Sequence, residues 1–371
     1  MKIVLIAGAR PNFMKIAPIM GAIDRHNAQS PVTIHHTLVH TGQHYDYEMS
    51  QVFFKELAIP EPDFHLGIGS GTHAEQTGKA MIAIEKVLLE HHPNVVVVVG
   101  DVNSTLAGAL AAAKLQMPVA HVEAGLRSFD RTMPEETNRL LTDAISDYLF
   151  TPSADADDNL RREGIPESKI FLVGNVMVDS LMQSRSKAQE SPILSRLELE
   201  ARDYALLTLH RPGNVDDEQD LRRIVEALAE IARRIPVVFP AHPRTLKKMK
   251  EFRLLERLPI EGHRFLLIEP LGYLDFINLE INARFVLTDS GGIQEETTVL
   301  NVPCLTLRDG TERPITVAEG TNILVGSDKK RILDEAHRIL DGHPKQGRCP
   351  DLWDGKAAER IVAILARQEK P

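Results

Sequence analysis

Three carboxylates stand where short apolar runs give way to polar residues. Asp101 follows Gly100 after the run Val95–Val99, and Glu123 follows Val119–Val122 within His121-Val122-Glu123-Ala124-Gly125-Leu126-Arg127. Glu135 lies in Met133-Pro134-Glu135-Glu136-Thr137-Asn138-Arg139, a proline-led helix start. Carboxylates gathered in one place repel, some of their pKa values rise, and acid and base roles become available at neutral pH. Position alone also allows plainer duties: Asp101 as a helix N-cap, and one of the paired glutamates as a helix-dipole partner. His210, in Thr208-Leu209-His210-Arg211-Pro212, could shuttle a proton, donate to a phosphate, or be structural.

A second set of residues suits anions. The first apolar run ends in Gly8-Ala9-Arg10-Pro11 and leads into a helical stretch carrying Lys15. A strand, a glycine turn and a helix start form an anion site, and the two cations add to it. The strongest local signal is Thr288-Asp289-Ser290-Gly291-Gly292-Ile293-Gln294-Glu295-Glu296. Ser290, Gly291 and Gly292 let backbone N–H groups close on a diphosphate at a helix N-terminus, while Glu296 could accept from ribose hydroxyls. Arg313, in Thr311-Glu312-Arg313-Pro314, offers a further cation. The plainer alternative is a glycine turn and a solvated helix face. Thr41-Gly42-Gln43-His44-Tyr45-Asp46 also falls at a strand end. Gly69-Ser70-Gly71-Thr72-His73-Ala74 has dinucleotide spacing but follows Pro60–Leu66 and not a first buried strand, so it reads as a loop and helix start, with no NAD expected.

These residues need strands to carry them. Apolar runs predict strands at Ile3–Ala7, Thr33–Val39, Val95–Val99, Val119–Val122, Leu206–Leu209, Val237–Phe239, Phe265–Ile268, Phe285–Thr288 and Cys304–Thr306. The unbroken valines Val95–Val99 suit a strand covered on both faces. Amphipathic stretches such as Thr105–Leu115, Leu221–Arg234 and Ile332–Leu340 intervene, so the expected class is α/β with parallel sheets. Two such series are separated near Phe171–Asp179, giving domains at 1–174 and 175–354 that face each other across a ligand cleft.

Composition narrows the class. A chain of 371 residues holds two domains comfortably, and a net charge of −9 argues against a general nucleic-acid surface. Two cysteines, Cys304 and Cys349, offer neither a disulfide framework nor metal-ligand spacing, as suits a reducing cytoplasm. The start MKIVLIAGARP reads as a buried first strand, and no apolar stretch approaches the roughly 20 residues of a membrane span.

Taken together the motifs resemble the non-hydrolysing UDP-N-acetylglucosamine 2-epimerases over essentially the whole chain. The matching pieces, in order, are GARPNFMKIAP, TGQHYD, GDVNST, HVEAGLR, PEETNR, GNVMVD, TLHRP, TDSGGIQEE and TERP. The resemblance implies two Rossmann-like domains in the GT-B arrangement, a homodimer, and a C-terminal helix within 355–371 that returns to the first domain. It assigns UDP to Arg10, Lys15, Phe276, Ser290, Gly291, Gly292, Glu296 and Arg313. Catalysis falls to Asp101, Glu123 and Glu135, with His210 near the diphosphate; no metal and no redox cofactor are implied. The chain departs from the family pattern at Pro212-Gly213-Asn214, at Leu271 where a glutamine is common, and around Gly69-Ser70-Gly71, which lacks basic residues.

The chemistry expected of such a protein is inversion at sugar carbon 2 of UDP-N-acetylglucosamine. No carbonyl acidifies that proton, so without a nicotinamide site the favoured route is loss of UDP to an unsaturated 2-acetamidoglucal and re-addition. Rival readings are a hydrolysing relative that releases free sugar and UDP, a GT-B glycosyltransferase, and a non-catalytic UDP-sugar sensor.

Overall fold

The computed structural model describes residues 1–8, 10–42, 60–260, 262 and 264–367. The chain forms two compact units, Met1–Gln183 with Asp351–Pro371, and Ser184–Pro350. The division falls inside the helix Val176–Gln189 and returns at Asp351, where the sequence suggested 174/175 and 354/355. Side-chain anchoring explains the shift. Ser180, early in that helix, donates to the Met14 carbonyl, whereas Ala188 near its end accepts from Asn278 Nδ2 at 2.7 Å.

In the first unit the strands are β1 (Lys2–Ala7), β2 (His35–His40), β3 (Phe64–His65), β4 (Val95–Val99), β5 (Val119–Val122), β6 (Tyr148–Thr151) and β7 (Ile170–Leu172). They lie in the order β3-β2-β1-β4-β5-β6-β7, and the described pairings are parallel. The valines of β4 show why the run does not alternate. Val95, Val97 and Val99 enter one core with Ile3 and Leu5, while Val96 and Val98 enter another with Val4 and Ile6. Helices therefore cover both faces. The helix Ala357–Ala366 completes the first of these cores through Ala357, Ala358, Ile361, Val362 and Leu365. Its N-terminus is tied by Asp179, whose carboxylate accepts from the N–H groups of Ala357 (3.1 Å) and Ala358 (2.7 Å).

The second unit repeats the pattern with β8 (Ala205–Thr208), β9 (Val237–Pro240), β10 (Phe265–Ile268), β11 (Phe285–Thr288), β12 (Cys304–Thr306) and β13 (Asn322–Leu324), in the order β10-β9-β8-β11-β12-β13. Leu221, Ile224, Val225, Leu228 and Ile231 form the apolar stripe of the helix Glu218–Ile231 and pack on Leu207, Phe239 and Leu287. Asp217 caps that helix by accepting from the Asp220 N–H at 2.9 Å.

Strand order reverses between β1 and β4 in one unit and between β8 and β11 in the other. Open α/β sheets collect ligands beyond the carboxyl ends at such reversals. Among the described residues no helix is long and apolar enough to cross a membrane.

Candidate active site

The carboxyl ends of β1, β4 and β5 bring several of the expected residues together around Gly100. Gly100 holds φ +68°, and a Cβ there would lie 2.7 Å from Lys15 Nζ and 3.3 Å from Glu123 Oε2. Only glycine lets these side chains close in. Lys15 reaches the site from the helix Arg10–Gln29 and forms a buried ion pair with Glu123. Asn12 fixes the start of that helix: its Oδ1 accepts from the Gly8 N–H (3.0 Å) and its Nδ2 donates to the Val99 carbonyl (3.1 Å). Glu123 itself has φ +74°, a left-handed conformation that costs an L-residue roughly 1–2 kcal/mol. Its N–H donates to the Phe150 carbonyl at 3.1 Å. Strain at the end of a strand, on a carboxylate, is the kind of outlier that accompanies a working site.

Asp101 is a partly exposed carboxylate held 2.5 Å from Arg139 Nη1. It does not cap the next helix, Asn103–Lys114, whose N-cap is Val102 with no side-chain bond. The helix Pro134–Ile145 begins with proline, as its sequence requires, and its two glutamates differ sharply. Glu136 is buried and accepts from the N–H groups of Ser128 and Phe129 (both 2.9 Å) and from Arg139 Nη2 (2.8 Å). Burial opposes its charge, but these donors prevail and hold the carboxyl below the ordinary range. Glu135 is half-buried, and no described residue pairs with it. Glu136 therefore shapes the loop, and Glu135 remains available.

In the second unit β8 and β11 pair directly, with Thr208 opposite Thr288 and their hydroxyl oxygens 2.6 Å apart. The buried carboxylate of Asp289 accepts from the N–H groups of His210 (2.9 Å) and Arg211 (2.8 Å) and lies 3.0 Å from His210 Nδ1. Asp289 thus builds the His210 loop, and the His210 ring stays half-exposed beside it. Ser290 takes the N-cap position of the helix Gly291–Leu300, its N–H donating to Thr288 Oγ1 at 2.9 Å. At Gly291 a Cβ would come within 2.7 Å of Arg313 Nη1, so glycine allows the guanidinium to approach the helix start. Arg313 lies 2.7 Å from both Glu295 Oε1 and Glu312 Oε1. Glu312 also meets Arg308 (2.9 Å) and Arg211 (3.3 Å). Burial works against this carboxylate, yet the three guanidiniums hold it far below the ordinary range. Cations and helix N–H groups together suit a diphosphate.

Further along the same helix Glu296 is buried and accepts from Tyr273 Oη at 3.2 Å. Burial pushes its carboxyl up to about 7. Glu280, on the helix Tyr273–Asn282, is fully buried with neither oxygen bonded by a described residue; burial, then Glu296, raise it well above the usual range. Phe276, on that helix too, is half-buried against the core cluster that includes Tyr204 and Leu206.

Arg10 is the first residue of its helix, and Gln43–Asp46 lie outside the described residues. Gly69–Gly71 form a loop before the helix His73–His91, where Thr72 and Glu75 make a capping box. Sequence reasoning missed the partners: Arg139 of Asp101, Arg211 and Arg308 around Glu312, and Glu280. Only Arg139 left a signal, its spacing of three from Glu136 on a helix.

Two doubly wound parallel sheets, each with polar side chains gathered where its strand order reverses, define a nucleotide-binding α/β protein. The comparisons narrow this. The UDP-N-acetylglucosamine 2-epimerase family profile matches residues 26–366. A Methanocaldococcus jannaschii protein named UDP-N-acetylglucosamine 2-epimerase is 50% identical over 98% of this chain and 99% of its own. A Pseudomonas aeruginosa UDP-2,3-diacetamido-2,3-dideoxy-D-glucuronate 2-epimerase is 45% identical, over 99% and 100%. The crystal structure of the M. jannaschii enzyme with UDP-N-acetylglucosamine and UDP is similar with a TM-score of 0.89 at 49% identity, covering 99% of this chain and all of that one. This chain belongs to the UDP-N-acetylglucosamine 2-epimerase family.

Proposed function

We propose that the protein interconverts UDP-N-acetylglucosamine and UDP-N-acetylmannosamine without hydrolysis, by losing and re-adding UDP. The observation that carries this beyond family membership is the edge of the first sheet. There Glu123 is strained and paired with Lys15, Asp101 is paired with Arg139, and Glu135 stands without a partner among the described residues. A site that held only a nucleotide has no use for three acids placed this way. In the forward step one carboxylate takes the carbon 2 proton while the bond from carbon 1 to the diphosphate oxygen breaks. UDP leaves with that electron pair, and a double bond forms between carbons 1 and 2. On return an acid delivers a proton to the opposite face of carbon 2, and the diphosphate oxygen bonds carbon 1 again. Cations and helix N–H groups at the second sheet stabilise the departing diphosphate, with His210 as a further donor. Ribose hydroxyls donate to Glu296, and Phe276 packs on the base.

Proton NMR in heavy water tests this directly. UDP-N-acetylglucosamine should convert to a mixture of the two UDP-sugars, both carrying deuterium at carbon 2. Free N-acetylmannosamine plus UDP would establish the hydrolysing alternative, and retained protium would rule out elimination. The P. aeruginosa relative makes its diacetamido-glucuronate nucleotide the second substrate to assay.

A further inference from the structure

His121 is the one ionisable side chain of HVEAGLR that the proposed chemistry leaves without a duty toward substrate or a surface partner. It sits in the middle of β5, fully buried. Its two ring nitrogens face two acceptors. Nε2 lies 2.8 Å from the Gly100 carbonyl, and Nδ1 lies 2.6 Å from Asp143 Oδ1. A carbonyl oxygen can only accept, so Nε2 carries a hydrogen. Asp143 is committed as an acceptor as well. Its other oxygen takes the Gly125 N–H at 3.0 Å and Arg127 Nη2 at 2.7 Å. Burial favours the neutral acid there, but His121 and Arg127 outweigh it and hold the Asp143 carboxyl below the ordinary range. The ring thus sits between two acceptors, the Gly100 carbonyl at Nε2 and the Asp143 carboxylate at Nδ1.

The bridge joins the three elements that carry the candidate acids. Gly100 leads directly into Asp101. Glu123 lies two residues beyond His121, in the turn that directly follows its strand. Asp143 belongs to the helix Pro134–Ile145, which also carries Glu135 and the Arg139 that holds Asp101. Glu123 holds a positive φ that an L-residue rarely adopts, so its backbone does not keep this shape by preference alone. We infer that His121 is a positioning residue: the buried bridge from Gly100 to Asp143 fixes Asp101, Glu123 and Glu135 relative to one another. The inference rests on the catalytic reading proposed above for those three acids.

Two measurements test it. Nitrogen-15 NMR of histidine-labelled protein at pH 7 should show both ring nitrogens of His121 protonated, the signal being assigned by its loss in His121→Gln. One unprotonated ring nitrogen would overturn the bridge. In His121→Gln and, separately, Asp143→Asn, kcat should fall by roughly 10- to 100-fold with KM within about threefold, the scale expected when reacting groups shift by about an ångström. A purely structural role predicts instead an early melt with kcat per folded molecule unchanged, and that result in both variants would overturn the positioning role. The ring state is read on the unaltered protein, so it stands whether or not a variant folds. If the unaltered protein converts no UDP-sugar, the proposed function fails and the ring state still decides the bridge.

Discussion

The two sheets share one strand order and yet dress their reversal points in opposite ways. At the first, the acids are paired with cations: Lys15 with Glu123, and Arg139 with both Asp101 and Glu136. At the second, cations gather in excess around Glu312, while Glu296 on the helix Gly291–Leu300 and Glu280 on the helix Tyr273–Asn282 lie buried with no cation paired to them among the described residues. Ion pairing keeps carboxylates charged, as a base must be, whereas burial without a cation keeps them neutral or close to it. One frame therefore suits the proton transfer proposed at one edge and the nucleotide recognition proposed at the other. The comparison can be broken by showing that either edge does the other's work.

The largest effect is expected at the first edge. Asp101→Asn, Glu123→Gln and Glu135→Gln should each lower turnover by roughly 100-fold or more, the scale of a positioned acid or base. UDP affinity should stay within about threefold. The opposite outcome, early melting with turnover kept per folded molecule, would make all three scaffolding. Glu136→Gln sharpens the contrast: its carboxylate is spent on Ser128, Phe129 and Arg139, so its loss should show first as a lower melting temperature.

A smaller effect is expected at the second edge. Arg313→Ala and Glu296→Ala should each weaken UDP binding by about 10-fold, the scale of one lost charge-assisted contact. Calorimetry showing unchanged affinity in both variants would remove the nucleotide from this loop.

Much of the frame was legible in the sequence because both cores are built from unbroken apolar runs. β4, β5, β10, β11 and β12 fall where those runs predicted, and β8 begins one residue earlier than its apolar run. β3, β6, β7 and β13 went unread: Phe64–His65 and the three-residue Ile170–Leu172 are too short to show a period, and Tyr148–Thr151 and Asn322–Leu324 mix polar residues into runs of three or four. The candidate acids were legible through their place after strands, but their pairing was not. Asp101 and Arg139 stand 38 positions apart, and only the fold brings them together. Whether Glu135 or Glu136 is free also depends on a loop at Ser128 that no spacing rule specifies. The left-handed Glu123 left no mark, since glycine and not glutamate signals that conformation.

The smallest effect concerns Glu280, whose burial without a described partner makes it a cost that varies with pH. In the folded unit its carboxyl holds its proton well above the ordinary value of 4.5, whereas the unfolded chain releases it near that value. Between the two the folded state binds more protons, so stability falls as pH rises. The stabilisation is whole below about 4.5 and is lost as pH climbs through the folded value. Glu280→Gln keeps the shape and removes the titration. The variant should therefore melt about 2–4 °C above the unaltered protein at pH 8, the shift that roughly 1 kcal/mol makes in a domain of this size. The difference should shrink as the pH approaches 5. Glu296, pushed up to about 7 by burial, contributes with the same sign and, being one of the causes that raise Glu280, makes the difference a reading of the pair. A variant that melts lower at pH 8 would mean that Glu280 is ionised and partnered in the fold, and the second edge would then resemble the first.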